Sequence, residues 1–292
     1  MKLANKKAIN KTKQVLTMVL ITLIVIFNCF PIYWMILTSF RPETEIVSKV
    51  PKLLPDDNIT FRNYRNVFSG YCGDVKITES AFVFIWNSLI VGITTTFLTL
   101  VLCSPAAYAI SRIQFRGREA ASSFALICYL VPPLALIVPV FVLCVKTGLN
   151  NSLLGMILVE TIFNIPVCMW LLRGYFVKLP VEVEEAAVVD GCRRLQVITR
   201  IMLPMALPGL TVASVVCFLN AWNSYLFPLI LLKSDPLKTA PVGLSIYLNE
   251  QIGMVWGEMM AAGAIIAVPV IIVFLLIQRN LVGGITAGAV KS

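Results

Sequence analysis

The sequence predicts an all-α integral membrane protein built on six transmembrane helices. Three observations carry that fold class. Of the 292 residues, 58% are hydrophobic and only 13% charged, and the mean hydropathy is +0.86. A soluble domain carries about 25% charged residues, and a water-soluble core of this size cannot bury so much apolar side chain beneath a polar surface. Six stretches with little or no charge reach the ~20 residues that a helix needs to cross a bilayer. Finally, basic residues gather in alternate connections, as they do in the short cytoplasmic loops of membrane proteins.

The elements follow in order. Residues 1–13 form a basic tail with Lys2, Lys6, Lys7, Lys11 and Lys13 and no acid. The first span, about 14–40, is too long for a signal-peptide core and ends without a small-x-small cleavage site, so it reads as a retained anchor. Residues 41–79 are an extracytoplasmic loop whose six basic residues are matched by six acidic ones. The second span covers 80–111, and Arg112, Arg116 and Arg118 lie in the connection to the third, 120–145. Lys146 alone separates this from the fourth span, 147–172, which contains Glu160, the sole charge inside any span. The loop 173–200 carries Arg173, Lys178, Arg193, Arg194 and Arg200. The fifth span is 201–232, the sixth 259–278, and Lys233 and Lys238 lie between them. Residues 279–292 close the chain as a tail. This alternation places both termini in the cytoplasm. Prolines 31, 105, 132, 133, 139, 166, 208, 228 and 269 fall within the spans, where each removes a backbone donor and predicts a kink.

Composition also excludes chemistry. The chain has no histidine, which removes Ser-His-Asp catalysis, HExxH zinc sites and histidine relays. None of the eight cysteines forms a CxxC pair, and Cys29, Cys103, Cys128, Cys144, Cys168 and Cys217 lie in apolar runs, where a thiol packs as a small hydrophobe. No metal site and no bound cofactor are expected. No G-x-x-x-x-G-K-[ST] phosphate loop occurs, so the chain does not hydrolyse ATP by that chemistry. Much of the formal charge of +9 marks the cytoplasmic face rather than a nucleic-acid surface.

The informative segment is 180–204. Pro180 followed by Glu182, Glu184 and Glu185 is helix-start chemistry, and Gly191 supplies a left-handed stop. A second helical piece with Arg193, Arg194 and Arg200 follows, and Pro204 opens the next span. The small pair Ala186-Ala187 offers a close-packing face flanked by charges, as a helix docking into a partner's cleft requires. The alternative is a surface helix resting on headgroups, which the acidic cluster disfavours on an anionic leaflet.

Here the sequence resembles the permease subunits of ATP-binding-cassette importers. Their signature, EAA, three residues, G, nine residues, I-x-L-P, is matched without a gap by Glu185, Ala186, Ala187, Gly191, Ile201, Leu203 and Pro204. The ending Gly284–Lys291 is similar to the carbohydrate-importing subfamily, in particular the second permease subunit of maltose-type systems. Tyr108-Ala109-Ile110-Ser111-Arg112, Asn87-Ser88, Thr38-Ser39-Phe40 and Asn220-Ala221-Trp222-Asn223 fit the same group. Near the last of these, Ser224-Tyr225 replaces an acid common in the family.

The resemblance implies a type I importer permease fold with a cytoplasmic coupling helix at Glu182–Asp190. It makes Glu184, Glu185, Ala186, Ala187, Asp190, Gly191, Ile201, Leu203 and Pro204 the residues that couple to an ATPase. It also implies a multi-pass protein of a prokaryotic cell membrane. Its partners would be a second permease subunit, an ATPase dimer that binds the ATP and Mg²⁺, and an extracytoplasmic solute-binding protein. The cargo would be a carbohydrate, with a polyol, amino sugar or uronate oligomer as alternatives. A self-sufficient secondary carrier is the reading from another class, and it fits poorly because proton-coupled carriers usually show several intramembrane acids. Residues for the path through the bilayer are Glu160, an intramembrane charge and so functional by default, and Asn164 on the same helix face. To these the fifth span adds Asn220, Trp222, Asn223 and Tyr225, whose amides and aromatic rings suit a sugar. Asn87 and Trp86 are weaker choices.

Overall fold

The computed structural model describes residues 2–48, 53–54, 58–76, 79–248 and 255–289. The side chains of 2–12, 248 and 279–289 lie outside that description, as do residues 290–292; for most of the basic N-terminal tail and of the Gly284–Lys291 ending only the backbone is therefore described. Among the described residues, four helices are long and apolar enough to cross a membrane: Lys13–Ser39, Ala81–Arg112, Leu153–Phe176 and Trp256–Gln278. Two bent pairs bring the number to six if each is one span: Arg118–Leu130 with Pro133–Lys146, and Arg194–Met205 with Leu207–Asn223. Both terminal tails are continuous with a span, as the helices Lys2–Ser39 and Trp256–Ala289.

The bent pairs fall in spans three and five, where kinks are expected at Pro132, Pro133 and Pro208, and they break the helix outright. The third span turns by 95° at Val131–Pro132, where both residues are extended (ψ 121° and 125°). Consecutive prolines remove two donors and force the preceding residue out of the helical region. The fifth span turns by 78° at Ala206. Beyond Asn223 it breaks again at Ser224 and resumes as Leu226–Leu231. Pro31, Pro105, Pro139, Pro166 and Pro269 lie inside helices that run on.

Packing divides the chain into two units, residues 1–77 with 247–265 and residues 78–246 with 266–292. In the second, Ala81–Arg112 packs most extensively against Leu153–Phe176, and Leu207–Asn223 packs against both. Their shared core holds Cys103, Cys168, Cys217, Leu172, Phe176 and Met202, all buried. The three cysteines pack as small hydrophobes there, and Cys103 donates to the Ile165 carbonyl at 3.5 Å. Asn87 donates to the carbonyls of Pro236 (2.8 Å) and Lys238 (3.0 Å), and Ser88 accepts from Ala240 N. These two residues therefore fasten the 233–246 connection, while Trp86 is exposed and stacks on Phe82.

In the first unit the segment expected as a loop carries regular structure. It contains a helix, Arg62–Ser69, and a hairpin, Tyr71–Cys72 with Val75–Lys76. Gly73 turns the hairpin at φ 61°. The Glu43 carboxylate accepts from Trp256 N (3.2 Å) and Gly257 N (3.1 Å), capping the helix that begins there. Glu258, 2% exposed, accepts from Asn66 (2.6 Å) and Gly73 N (2.8 Å). The long anchor helix is apolar and exposed along most of its length, with Phe27 80% exposed, a surface suited to acyl chains and not to water.

Burial, then the carboxylates of Glu258 and Glu43, push the Cys72 thiol up from 9.0 to about 11. At neutral pH the folded chain then holds about 100-fold less Cys72 thiolate than the unfolded one. Maleimide labelling of the Cys72 peptide, read by mass spectrometry, is expected to be slower in the native protein by about that factor. Because the folded pKa is raised, the associated stability is present below about pH 9 and is lost between about 9 and 11.

Candidate functional site

The loop between spans four and five folds into the helix Val181–Val189, with Glu182 and Glu184 in its first turn. Its end is a Schellman closure. Gly191 N donates to Val188 O (3.0 Å) and Cys192 N to Ala187 O (3.0 Å), with Gly191 at φ 83°. A side chain at 191 would be strained by that backbone, not by crowding, since a Cβ there meets nothing within 4 Å. The chain re-enters a helix at Arg193, whose N–H donates to the Gln196 side chain at 2.8 Å. It then passes through a π-helical turn, Val197–Met202.

The nine residues expected to couple divide by direction. Glu185, Ala186 and Asp190 are exposed, and with Glu182 and Val189 (87% exposed) they form an outward surface. Ala187 is 5% exposed and packs inward with Val197, Met202 and Ala206. Ile201 and Leu203 pack against the same cluster, so the I-x-L part of the motif seats the helix from behind. Pro204 is exposed two residues before the bend at Ala206. Glu184 also turns inward: it accepts a hydrogen bond from the Tyr108 hydroxyl and lies 3.6 Å from the Arg112 guanidinium. Sequence reasoning counted Glu184 with Glu185 because both precede the alanine pair. Adjacent helical residues sit about 100° apart, and here that rotation carries Glu184 toward Tyr108 and Arg112 while Glu185 faces out.

A second feature lies in the membrane-spanning part of the same unit. A cavity of about 830 Å³ opens between the broken third span, Leu153–Phe176 and the broken fifth span. Glu160, Asn164, Asn220, Asn223 and Tyr225 all line it. Asn220 donates to Asn164 Oδ1 at 3.1 Å, and Asn164 donates to the Glu160 carbonyl at 2.9 Å. Ser224 lines the same cavity beside Glu160. Glu160 is 4% exposed, and its Oε1 has no hydrogen-bond partner among the described residues. Phe163 and Phe227, 4.7 Å apart, add an aromatic wall, with Tyr129 on the rim of the third span.

Trp222 is not part of this site: it is 1% exposed and stacks on Phe218, 5.6 Å away, inside the bundle. Tyr129, Phe163 and Phe227 were missed by sequence reasoning, and Ser224 entered it only as a departure from the family pattern. A signal existed for Phe163, which adjoins Asn164. The cavity sits where the backbone is broken at Val131–Pro132 and Ser224, and irregular backbone at membrane depth is tolerated where it lines a polar space.

With this geometry in view, a family model described as "Binding-protein-dependent transport system inner membrane component" matches residues 101–286. The chain is 35% identical over 274 residues to the inner membrane ABC transporter permease protein YcjP of Escherichia coli (strain K12), covering 93% of this chain and 94% of that protein. It is 32% identical to the diacetylchitobiose uptake system permease protein DasC of Streptomyces coelicolor, covering 93% and 95%. Among solved structures it is similar to a bacterial ABC transporter involved in import of the acidic polysaccharide alginate. That match has a TM-score of 0.77 and 20% identity, and covers 92% of this chain and 96% of that one.

Proposed function

We propose a function from one premise: this chain belongs to the family of binding-protein-dependent transport system inner membrane components. It is a multi-pass, non-catalytic permease subunit of an ATP-binding-cassette importer with the type I fold. In our reading it passes a carbohydrate, delivered by an extracytoplasmic binding protein, through a pathway shared with a second permease subunit. A separate ATPase dimer holds the ATP and Mg²⁺ and docks on the Val181–Val189 helix. Both termini face the cytoplasm with that helix. The observation that carries the reading is the EAA-G-IxLP segment, which folds as a protruding helix with Glu185, Ala186 and Val189 exposed.

The cavity supports the carbohydrate assignment. Its volume of about 830 Å³ falls within the range of about 300–1,000 Å³ usual for small-molecule sites. It combines amides, a hydroxyl, a carboxyl and aromatic rings, and among the described residues no Lys or Arg lines it. Bringing a uronate carboxylate beside buried Glu160 would place two like charges in a poorly solvated space. Neutral glycans and amino sugars instead supply donors to the unpartnered Glu160 oxygen. DasC is named for uptake of diacetylchitobiose, a cargo of that chemistry.

The test is uptake by the purified importer in proteoliposomes, with labelled diacetylchitobiose, trehalose, maltotriose and a uronate trimer as probes. Uptake of a neutral probe that requires ATP and the binding protein supports the reading. Uptake with no ATPase present overturns the importer, and preference for the uronate overturns the cargo class. Asn220→Leu removes the Asn164 partner and is expected to lower neutral uptake about tenfold while the ATPase stays bound. That factor corresponds to about 1.4 kcal/mol, the scale of one hydrogen bond.

A further inference from the structure

The inward turn of Glu184 has a use that the docking surface does not explain. Its carboxylate accepts from the Tyr108 hydroxyl and pairs with Arg112 at 3.6 Å, its side chain being 18% exposed and that of Arg112 10%. Arg112 in turn donates to the Leu179 carbonyl, in the turn that precedes the Val181–Val189 helix. Tyr108 is 3% exposed, and its ring meets Phe176 edge to face at 6.0 Å. Tyr108 and Arg112 are one helical turn apart, at the last turns of Ala81–Arg112. One carboxylate thus ties the loop helix to the end of a membrane span, and a guanidinium ties that end to the loop's entry.

We propose that Glu184 is a positioning residue which, with Tyr108 and Arg112, forms a strut carrying displacement of the loop helix into the Ala81–Arg112 span, and is not a contact for the ATPase. The apolar contacts behind the loop helix, Ala187 on Val197 and Met202, are non-directional and allow it to slide. A charge-assisted hydrogen bond and an ion pair on one carboxylate fix direction and distance. They therefore pass on a push that apolar packing alone would dissipate. The strut rests on the proposed ATPase docking, which supplies the push.

The experiment compares Glu184→Gln, Tyr108→Phe, the double variant and Glu185→Lys in the complete importer. Co-purified ATPase and substrate taken up per ATP hydrolysed are both measured. The strut requires the two single variants to keep the ATPase and hydrolysis within about twofold, while uptake per ATP falls about fivefold or more. The double variant should be no worse than the poorer single one, since both remove the same link. Exchanging the charges, with Glu184→Arg and Arg112→Glu together, should recover part of the loss relative to Glu184→Arg alone, which no general loss of stability would allow. Release of the ATPase by Glu184→Gln puts Glu184 in the docking face and overturns the strut but not the function. An unchanged uptake-to-hydrolysis ratio also overturns it. A wild-type chain that retains no ATPase overturns the proposed function, and the strut with it.

Discussion

Replacing Glu185 by lysine is expected to release the ATPase from the purified importer and to abolish ATP-dependent uptake, while the permease stays folded. Glu185 is exposed on the loop helix beside Ala186, one turn before Val189, which is 87% exposed. A carboxylate amid small apolar residues on a protruding helix is a compact docking surface, in which one or two side chains carry most of the affinity. Reversing its charge opposes any basic partner group and adds bulk beside Ala186. A loss of about 2–4 kcal/mol is typical of such central positions, which is about 30-fold to 1,000-fold in affinity. Pull-down of the ATPase and uptake into proteoliposomes measure the two effects. The fold should be indifferent, because Glu185 makes no hydrogen bond or ion pair shown among the described residues and holds no core position. A thermal midpoint within about 2 °C of wild type checks that expectation. Retained ATPase binding by this variant would argue against the loop helix as the docking element.

The second large effect concerns the scaffold. Gly155→Ala is expected to lower stability by about 1–3 kcal/mol or more, the range for overpacking a core, and to reduce the yield of folded protein. A Cβ on Gly155 would overlap the Leu149 carbonyl oxygen and crowd the Leu149 side chain. The obstruction is backbone, so no rotamer change relieves it. Gly155 also donates its N–H to Ser152 Oγ at 3.1 Å, the cap of the helix Leu153–Phe176. Asn151, at φ 51°, holds the next connection by accepting from Lys233 N and Ser234 N, each at 3.0 Å. Displacing this corner would shift the start of the helix that carries Glu160 and Asn164 into the cavity. A thermal-shift assay in detergent measures the loss; Gly148→Ala, where a Cβ meets nothing within 4 Å, separates crowding from the strain of a left-handed glycine.

The legibility of this protein from its sequence was uneven for physical reasons. Long apolar helices begin at Ala81, Leu153 and Trp256, one and six residues after and three before the starts of the apolar stretches 80–111, 147–172 and 259–278; burial of backbone in lipid demands a continuous helix. The prolines were less legible. Pro105 and Pro166 sit inside helices that continue unbroken, while Val131–Pro132 turns the chain by 95°. A single missing donor is absorbed where neighbouring groups take up the freed carbonyl, and that depends on what packs there. In the cavity, Asn220, Asn223 and Tyr225 were legible from residue type, but Trp222 was not, since one residue of helix rotates a side chain by about 100°. The same rotation separates Glu184 from Glu185.

By itself the sequence determined that the chain lies in a membrane, roughly where it crosses, and that it carries the importer-permease signature. Those properties depend on composition along a line and on fixed spacing, which need no partner elsewhere in the chain. Only the tertiary structure decided which motif residues face outward, that Tyr108 and Arg112 reach Glu184, and that two helix breaks open a cavity beside Glu160. Each of these depends on the rotation of one helix against another. That rotation is set by interlocking side chains more than fifty residues apart, a relation that no local pattern contains.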